Sequence, residues 1–311
     1  MTTTRQAPAR GDRGALAKVL NALEADLPEP ERIAWLDALW PFATAVTLGI
    51  TGPPGVGKST LIGRLIAAWR AAQRTVAVLC VDPSSRQSGG ALLGDRVRLG
   101  VGGDDPGVFV RSLAARGMLG GLAPAAFDMA LALAATHDRV IVETVGVGQS
   151  EIAIADVADL VAVVLQPGSG DALQYIKAGI MEIPDLIAVN KADLGALATE
   201  TAREARQAVA ARGRRDVPIL PVSASAGDGV ATLVDTLDRL IAERAPTLGG
   251  TRDVALSAEL LARFERWFGA HAVREAGGRE GLYRRVLGVP AATLPSARWA
   301  LLGGGSMDAC G

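Results

Sequence analysis

The sequence predicts an α/β fold: a mostly parallel sheet flanked by helices, with a helical brace before it and a helical tail after it. Apolar strand-like runs at 45–51, 75–81, 108–112, 139–143, 160–165, 186–190 and 218–223 alternate with helical patterns, the order expected of repeated strand–helix units. Several of these runs, Val76–Val81 and Leu160–Leu165 among them, are apolar without interruption, as parallel strands covered on both faces should be. The brace is read from residues 14–40. Leu16, Leu20 and Leu23 share one helical face there, Ile33, Leu36 and Trp40 share another, and Pro28 and Pro30 separate them. In the tail, Leu256, Leu260, Phe264 and Trp267 form one stripe over 252–275, followed by a short helix near 279–287. The expected division is therefore 1–44, 45–245 and 246–311, the last ending in a glycine-rich stretch, Gly303–Gly311, with the composition of a flexible end.

Charge and cysteine content narrow the function classes. Thirty-two basic against 33 acidic residues give a net charge of −1, which supplies no positive field for capturing nucleic acid. Cys80 and Cys310 cannot form a disulfide framework, and neither an export leader nor an apolar run of membrane-spanning length is visible. A cytoplasmic protein without a nucleic-acid or membrane partner is expected. Only four lysines, Lys18, Lys58, Lys177 and Lys191, stand against 28 arginines. In so arginine-biased a chain, the remaining lysines mark places where a compact ammonium is needed.

Lys58 lies in the strongest motif. Gly52-Pro53-Pro54-Gly55-Val56-Gly57-Lys58-Ser59-Thr60 fits G-x-x-x-x-G-K-[ST], directly after a strand-like run and before a helical one. Its glycines let successive backbone N–H groups face phosphates, and the helix amino terminus adds positive potential. In a P-loop NTPase, Lys58 would reach the β and γ phosphates, and the Ser59 hydroxyl would hold Mg²⁺. Asn190-Lys191-Ala192-Asp193 follows the sixth strand and specifies the base. The Asp193 carboxylate can accept two hydrogen bonds from guanine's ring N–H and exocyclic amine, whereas adenine would leave the charge unpaired. Lys191 would lay its stem on the base, and Asn190 would tie this loop to the phosphate loop. Ser223-Ala224-Ser225 would present backbone N–H groups to guanine O6.

Acids able to serve hydrolysis lie between these motifs. Glu143 closes the fourth strand, with Gly146 placed to offer an N–H to the γ-phosphate; Asp82 and Asp95 lie near the same strand tips, and Gln149 is a candidate to position water. Helix capping is an alternative role for Asp82, and a solvated surface position for Asp95. His137 and His271 read as capping or surface residues, and Asp104-Asp105 as a solvated turn. Phe264, Trp267 and Phe268 read as core or as an oligomer interface.

With these motifs in place, the chain resembles the MeaB/ArgK/MMAA family of P-loop GTPases over about residues 14–245. Gly52–Thr60, Val81–Ser85, Glu143–Glu151, Gly179–Glu182 and Asn190–Asp193 carry the likeness. The resemblance implies a dimeric GTPase of low intrinsic rate, the tail serving dimerisation. It would bind an adenosylcobalamin-dependent acyl-CoA mutase, gate its cofactor loading, and protect or reactivate it, without binding cobalamin directly. It implies further that Asp82, Asp95 and Glu143 surround Mg²⁺, that 82–98 and 144–155 are switch regions, and that a third runs from Gln166 through Asp171 to Lys177. Arg96, Ala172 and Ala178 depart from residues usual in the family. Two alternatives are carried alongside: a transport-protein kinase or ATPase of the ArgK type, and a GTP-dependent scaffold without productive turnover.

Overall fold

The computed structural model describes residues 5–25, 27–82, 105–114, 125–144, 150–168, 180–214, 216–288 and 294–302. Among them, seven strands form one sheet: β1 (Thr47–Thr51), β2 (Val76–Asp82), β3 (Val108–Ala114), β4 (Arg139–Thr144), β5 (Leu160–Leu165), β6 (Leu186–Val189) and β7 (Ile219–Pro221). Their order is β3-β2-β4-β1-β5-β6-β7, and every adjacent pair is parallel. Each strand lies within two residues of its expected bounds. Parallel pairing brings all the carboxyl ends to one edge, with β1 central and the chain turning to β4 on one side and β5 on the other. Such a switch point is where open α/β sheets receive ligands.

The period-two pleat divides each apolar run between two cores. Val76, Val78 and Cys80 join Ile141, Leu160 and Ala162 beneath α3 (Lys58–Ala71) and α6 (Val230–Arg244). Ala77, Leu79, Val81, Val140 and Val142 face the other way, onto α4 (Ala125–Thr136). At the far end of that second face, Val161, Val163 and Ile187 pack under α5 (Ala196–Ala211).

Every residue of α4 is buried. One side meets the sheet, and the other is covered by Leu16, Leu20 and Leu23 of α1 (Arg13–Glu24), Ile33 and Leu36 of α2 (Glu29–Leu39), and Leu256, Leu260 and Phe264 of α7 (Leu248–Glu275). Brace and tail thus form a third layer over one helix. Asp128 of α4 is completely buried and accepts from Arg263 Nη2 at 2.6 Å and Arg32 Nη1 at 2.8 Å. These two arginines fix α7 and α2 to the same carboxylate. A second anchor joins α7 to the sheet: Arg252 forks onto Asp159 at 3.1 and 2.6 Å, and Asp159 accepts from the Thr47 amide at 2.7 Å.

The tail departs from expectation in two respects. Helix α7 begins at Leu248 and is interrupted at Gly269 (φ +80°), and after α8 (Gly278–Leu287) comes α9 (Pro295–Leu301), for which the sequence gives no periodic signal. It is too short to show a stripe, but Trp299 and Arg298 are buried, and Arg298 donates to Asp253 at 2.9 Å. His137, read as a capping or surface residue, is buried beyond the end of α4, its Nδ1 2.9 Å from Thr136 Oγ1. Phe264 is buried, whereas Trp267 and Phe268 remain partly exposed. Among the described residues, no helix is long and apolar enough to cross a membrane.

Candidate functional site

Among the described residues, Lys58 and Ser59 follow β1, Glu143 lies on β4, Asn190, Lys191 and Asp193 follow β6, and the loop 223–225 follows β7, all toward the carboxyl edge of the sheet. Chain direction at β1 passes into the glycine-rich loop and then α3, whose first residue is Lys58. Close approach dictates two of the glycines. A Cβ on Gly52 would lie 2.2 Å from the Val164 carbonyl oxygen, and one on Gly57 (φ +94°) would lie 2.4 Å from Asn190 Nδ2. The Lys58 ammonium donates to the carbonyls of Gly52 (2.7 Å) and Pro53 (3.0 Å), which holds it over the loop at the head of a four-turn helix. Thr60 follows on the first turn, exposed.

Glu143 sits next to this loop because β4 pairs with β1, Ile50 lying opposite Glu143. Ser59 Oγ donates to Glu143 Oε1 at 3.1 Å, and Cys80 Sγ on β2 lies 3.9 Å from Oε2. A serine hydroxyl and a carboxylate from adjacent elements form an oxygen set suited to a hard divalent cation. Asp82 closes β2 opposite Ala114; its side chain, like Asp95, Gly146, Gln149, Asp171 and Lys177, lies outside the described residues.

On the other flank, Asn190 follows β6 and bridges two loops. Its Nδ2 donates to the Val56 carbonyl at 2.8 Å, and its Oδ1 accepts from the Ala224 amide at 3.0 Å. Lys191, in a left-handed conformation (φ +58°), donates from Nζ to Gly55 O at 3.0 Å and Gln166 Oε1 at 2.5 Å, so its stem runs beside the phosphate loop. Asp193 is exposed, and its Oδ1 accepts from Ser223 Oγ at 2.6 Å. Ser223 Oγ is in turn 3.2 Å from Ser225 Oγ. The carboxylate is thus oriented by a hydroxyl while its remaining lone pairs stay accessible, as a reader of two N–H donors requires.

The loop 223–225 differs from expectation in detail. The Ser223 amide donates to Asp228 O at 2.8 Å, and the Ala224 amide is committed to Asn190. Of the three N–H groups expected to face the base, only that of Ser225 has no hydrogen bond among the described residues. The sequence reading also missed Arg64, which grips this loop from α3 but belongs to no motif. Only its place on the helix following the phosphate loop could have signalled it.

A parallel sheet whose central strand feeds a phosphate loop, joined by one asparagine to an Asn-Lys-x-Asp loop, defines a P-loop nucleotide-binding protein of the guanine-reading kind. More particularly, the chain belongs to the MeaB family: residues 16–254 match the model described as Methylmalonyl Co-A mutase-associated GTPase MeaB. It is 48% identical over 186 residues to a putative GTPase of Pyrococcus abyssi, the match covering 59% of this chain and 57% of that protein, less than two thirds of the relative's length. Over 195 residues it is 42% identical to the fused isobutyryl-CoA mutase of Cupriavidus metallidurans, covering 61% of this chain and 18% of that protein. Among solved structures, one described as a LAO/AO transport system kinase superposes with a TM-score of 0.63 and 26% identity, over 94% of this chain and 93% of the other.

Proposed function

We propose that the protein binds and hydrolyses GTP, and that the cycle gates cofactor loading, protection or reactivation of an adenosylcobalamin-dependent acyl-CoA mutase. The observation carrying the nucleotide reading is the pair of hydrogen bonds by which Asn190 donates to the Val56 carbonyl and accepts from the Ala224 amide, joining a phosphate loop to a base loop. In this reading Gly52–Thr60 wrap the phosphates, Lys191 and Asp193 take guanine, and Lys58 neutralises charge on the β and γ phosphates. Ser59 and Glu143, with Asp82 and Asp95, would hold Mg²⁺, whose bound charge would offset that of the phosphate oxygens. Gln149 would orient water toward the γ-phosphorus, and Gly146 would donate to a γ-phosphate oxygen. Positioning dominates this chemistry, so intrinsic turnover is low and a partner that orders the switch segments raises it.

The mutase as partner is supported by the family's description and by the relative fused to an isobutyryl-CoA mutase. We place the protein in the cytoplasm as a homodimer, with the exposed Trp267 and Phe268 of α7 as interface candidates. The decisive experiment measures GTP and ATP hydrolysis with and without a purified adenosylcobalamin-dependent mutase from the same source. Guanine-selective turnover accelerated by the mutase supports the proposal. ATP preference favours the transport-kinase alternative, and tight GTP binding without turnover favours a scaffold.

A further inference from the structure

We propose that Arg64 is a specificity-determining positioning residue: it sets the orientation of the Ser225 amide so that this N–H reads the 6-oxo group of the base. The inference rests on the guanine reading of the site and deepens it. Arg64 lies on the second turn of α3, between Leu61 and Leu65, which anchor that helix in the core. Its guanidinium forks onto the loop, Nε donating to the Ala224 carbonyl at 2.8 Å and Nη2 to the Ser225 carbonyl at 2.7 Å. Among the described residues no peptide bond is cis, and in a trans peptide the C=O and N–H point in opposite directions. Drawing the Ala224 carbonyl toward α3 therefore turns the Ser225 N–H away from α3. Since the Ser223 and Ala224 amides are occupied within the protein, the donor oriented by Arg64 is the one left for a ligand.

Two contacts thus divide the base between them. Asp193 reads the ring N–H and the 2-amino group, and the Ser225 amide reads position 6. A 6-oxo purine accepts from that amide, whereas a 6-amino purine opposes donor to donor. Arginine suits this position because its planar fork engages two carbonyls at once, while a lysine ammonium on a flexible stem holds them less rigidly.

The test compares the wild type with Arg64→Ala and Arg64→Lys, measuring by calorimetry the affinities for GDP, IDP, the 2,6-diaminopurine nucleoside diphosphate and ADP. In Arg64→Ala, GDP and IDP are expected to weaken together by about 3- to 10-fold. The diaminopurine analogue, which retains the 2-amino group but carries a 6-amino group, should be unchanged or tighter. Arg64→Lys should fall between the two, and it supports the same comparison if the alanine variant does not fold. Equal weakening of all four nucleotides would reduce Arg64 to a structural strut, and no change would remove it from recognition; either overturns the inference. A wild type that binds ADP as tightly as GDP refutes the guanine reading itself, and the inference falls with it.

Discussion

Helices α3 and α4 lie against opposite faces of the same sheet, yet they are built differently. Helix α3 buries Leu61, Ile62, Leu65, Ile66 and Trp69 and leaves its opposite side to solvent; α4 buries all twelve of its residues, including a carboxylate. The difference lies in what covers them. Among the described residues, one face of the sheet carries a single helical layer, and the α3 that belongs to it also carries Lys58 and Arg64 toward the phosphate and base loops. The face beneath α4 carries a second layer made of α1, α2 and α7. A helix between two apolar surfaces needs no polar side, and its one charge must be matched from both neighbours. Terminal segments that look like appendages are therefore half of a core.

The largest effect should come from the centre of the double layer. Asp128→Ala leaves Arg32 and Arg263 beside each other without their shared carboxylate, and is expected to cost about 3–5 kcal/mol in urea unfolding. On the single-layer face, Lys58→Ala should separate stability from function. Nucleotide affinity falls by about 100-fold, while unfolding without nucleotide shifts much less than in Asp128→Ala; an equal loss of stability would erase the contrast between the faces.

Two pH effects of opposite sign sharpen the comparison further, both from the double-layered side. Burial lowers the His137 pKa from 6.5 to about 4, with Arg13 and Arg10 acting in the same direction, and the Leu133 carbonyl and Asp138 opposing. The unfolded chain takes up that proton first, so the native state should lose about 3 kcal/mol as pH falls from 6.5 to 4. Denaturation of His137→Gln should show that much less pH dependence. Glu29 behaves oppositely and more weakly. Burial raises its pKa above 4.5 despite Arg263 and Arg32, so its contribution is present at low pH and declines as pH rises through the raised value. Glu29→Gln should remove this slope, changing neutral stability by less than about 1 kcal/mol.

The sheet was legible because parallel strands buried on both faces write themselves as continuous apolar runs, and Val76–Val81 admits few other readings. The phosphate and base loops were legible because backbone shape demands fixed residues, glycine at 57 and asparagine at 190 among them. What escaped was long-range. The neighbours of His137 lie far from it in sequence, the Phe109 ring 6.0 Å away and the charges of Arg10 and Arg13, and α9 is held by Arg298 reaching Asp253, 45 residues away. Arg64 escaped for the same reason, since its partners lie 160 and 161 residues further along. Neither kind of contact leaves a local period.

The sandwiching of α4 also sets an order of events during synthesis. Phe264 and Arg263 leave the ribosome well over a hundred residues after Asp128, so throughout that interval α4 has no outer cover on that side and its carboxylate lacks one of its two cations. Domains generally fold as units as the chain emerges, but this one can close only near the end. A chain stopped at residue 247, with the nucleotide motifs intact, is expected in the insoluble fraction, while one extending through α9 is expected to be soluble.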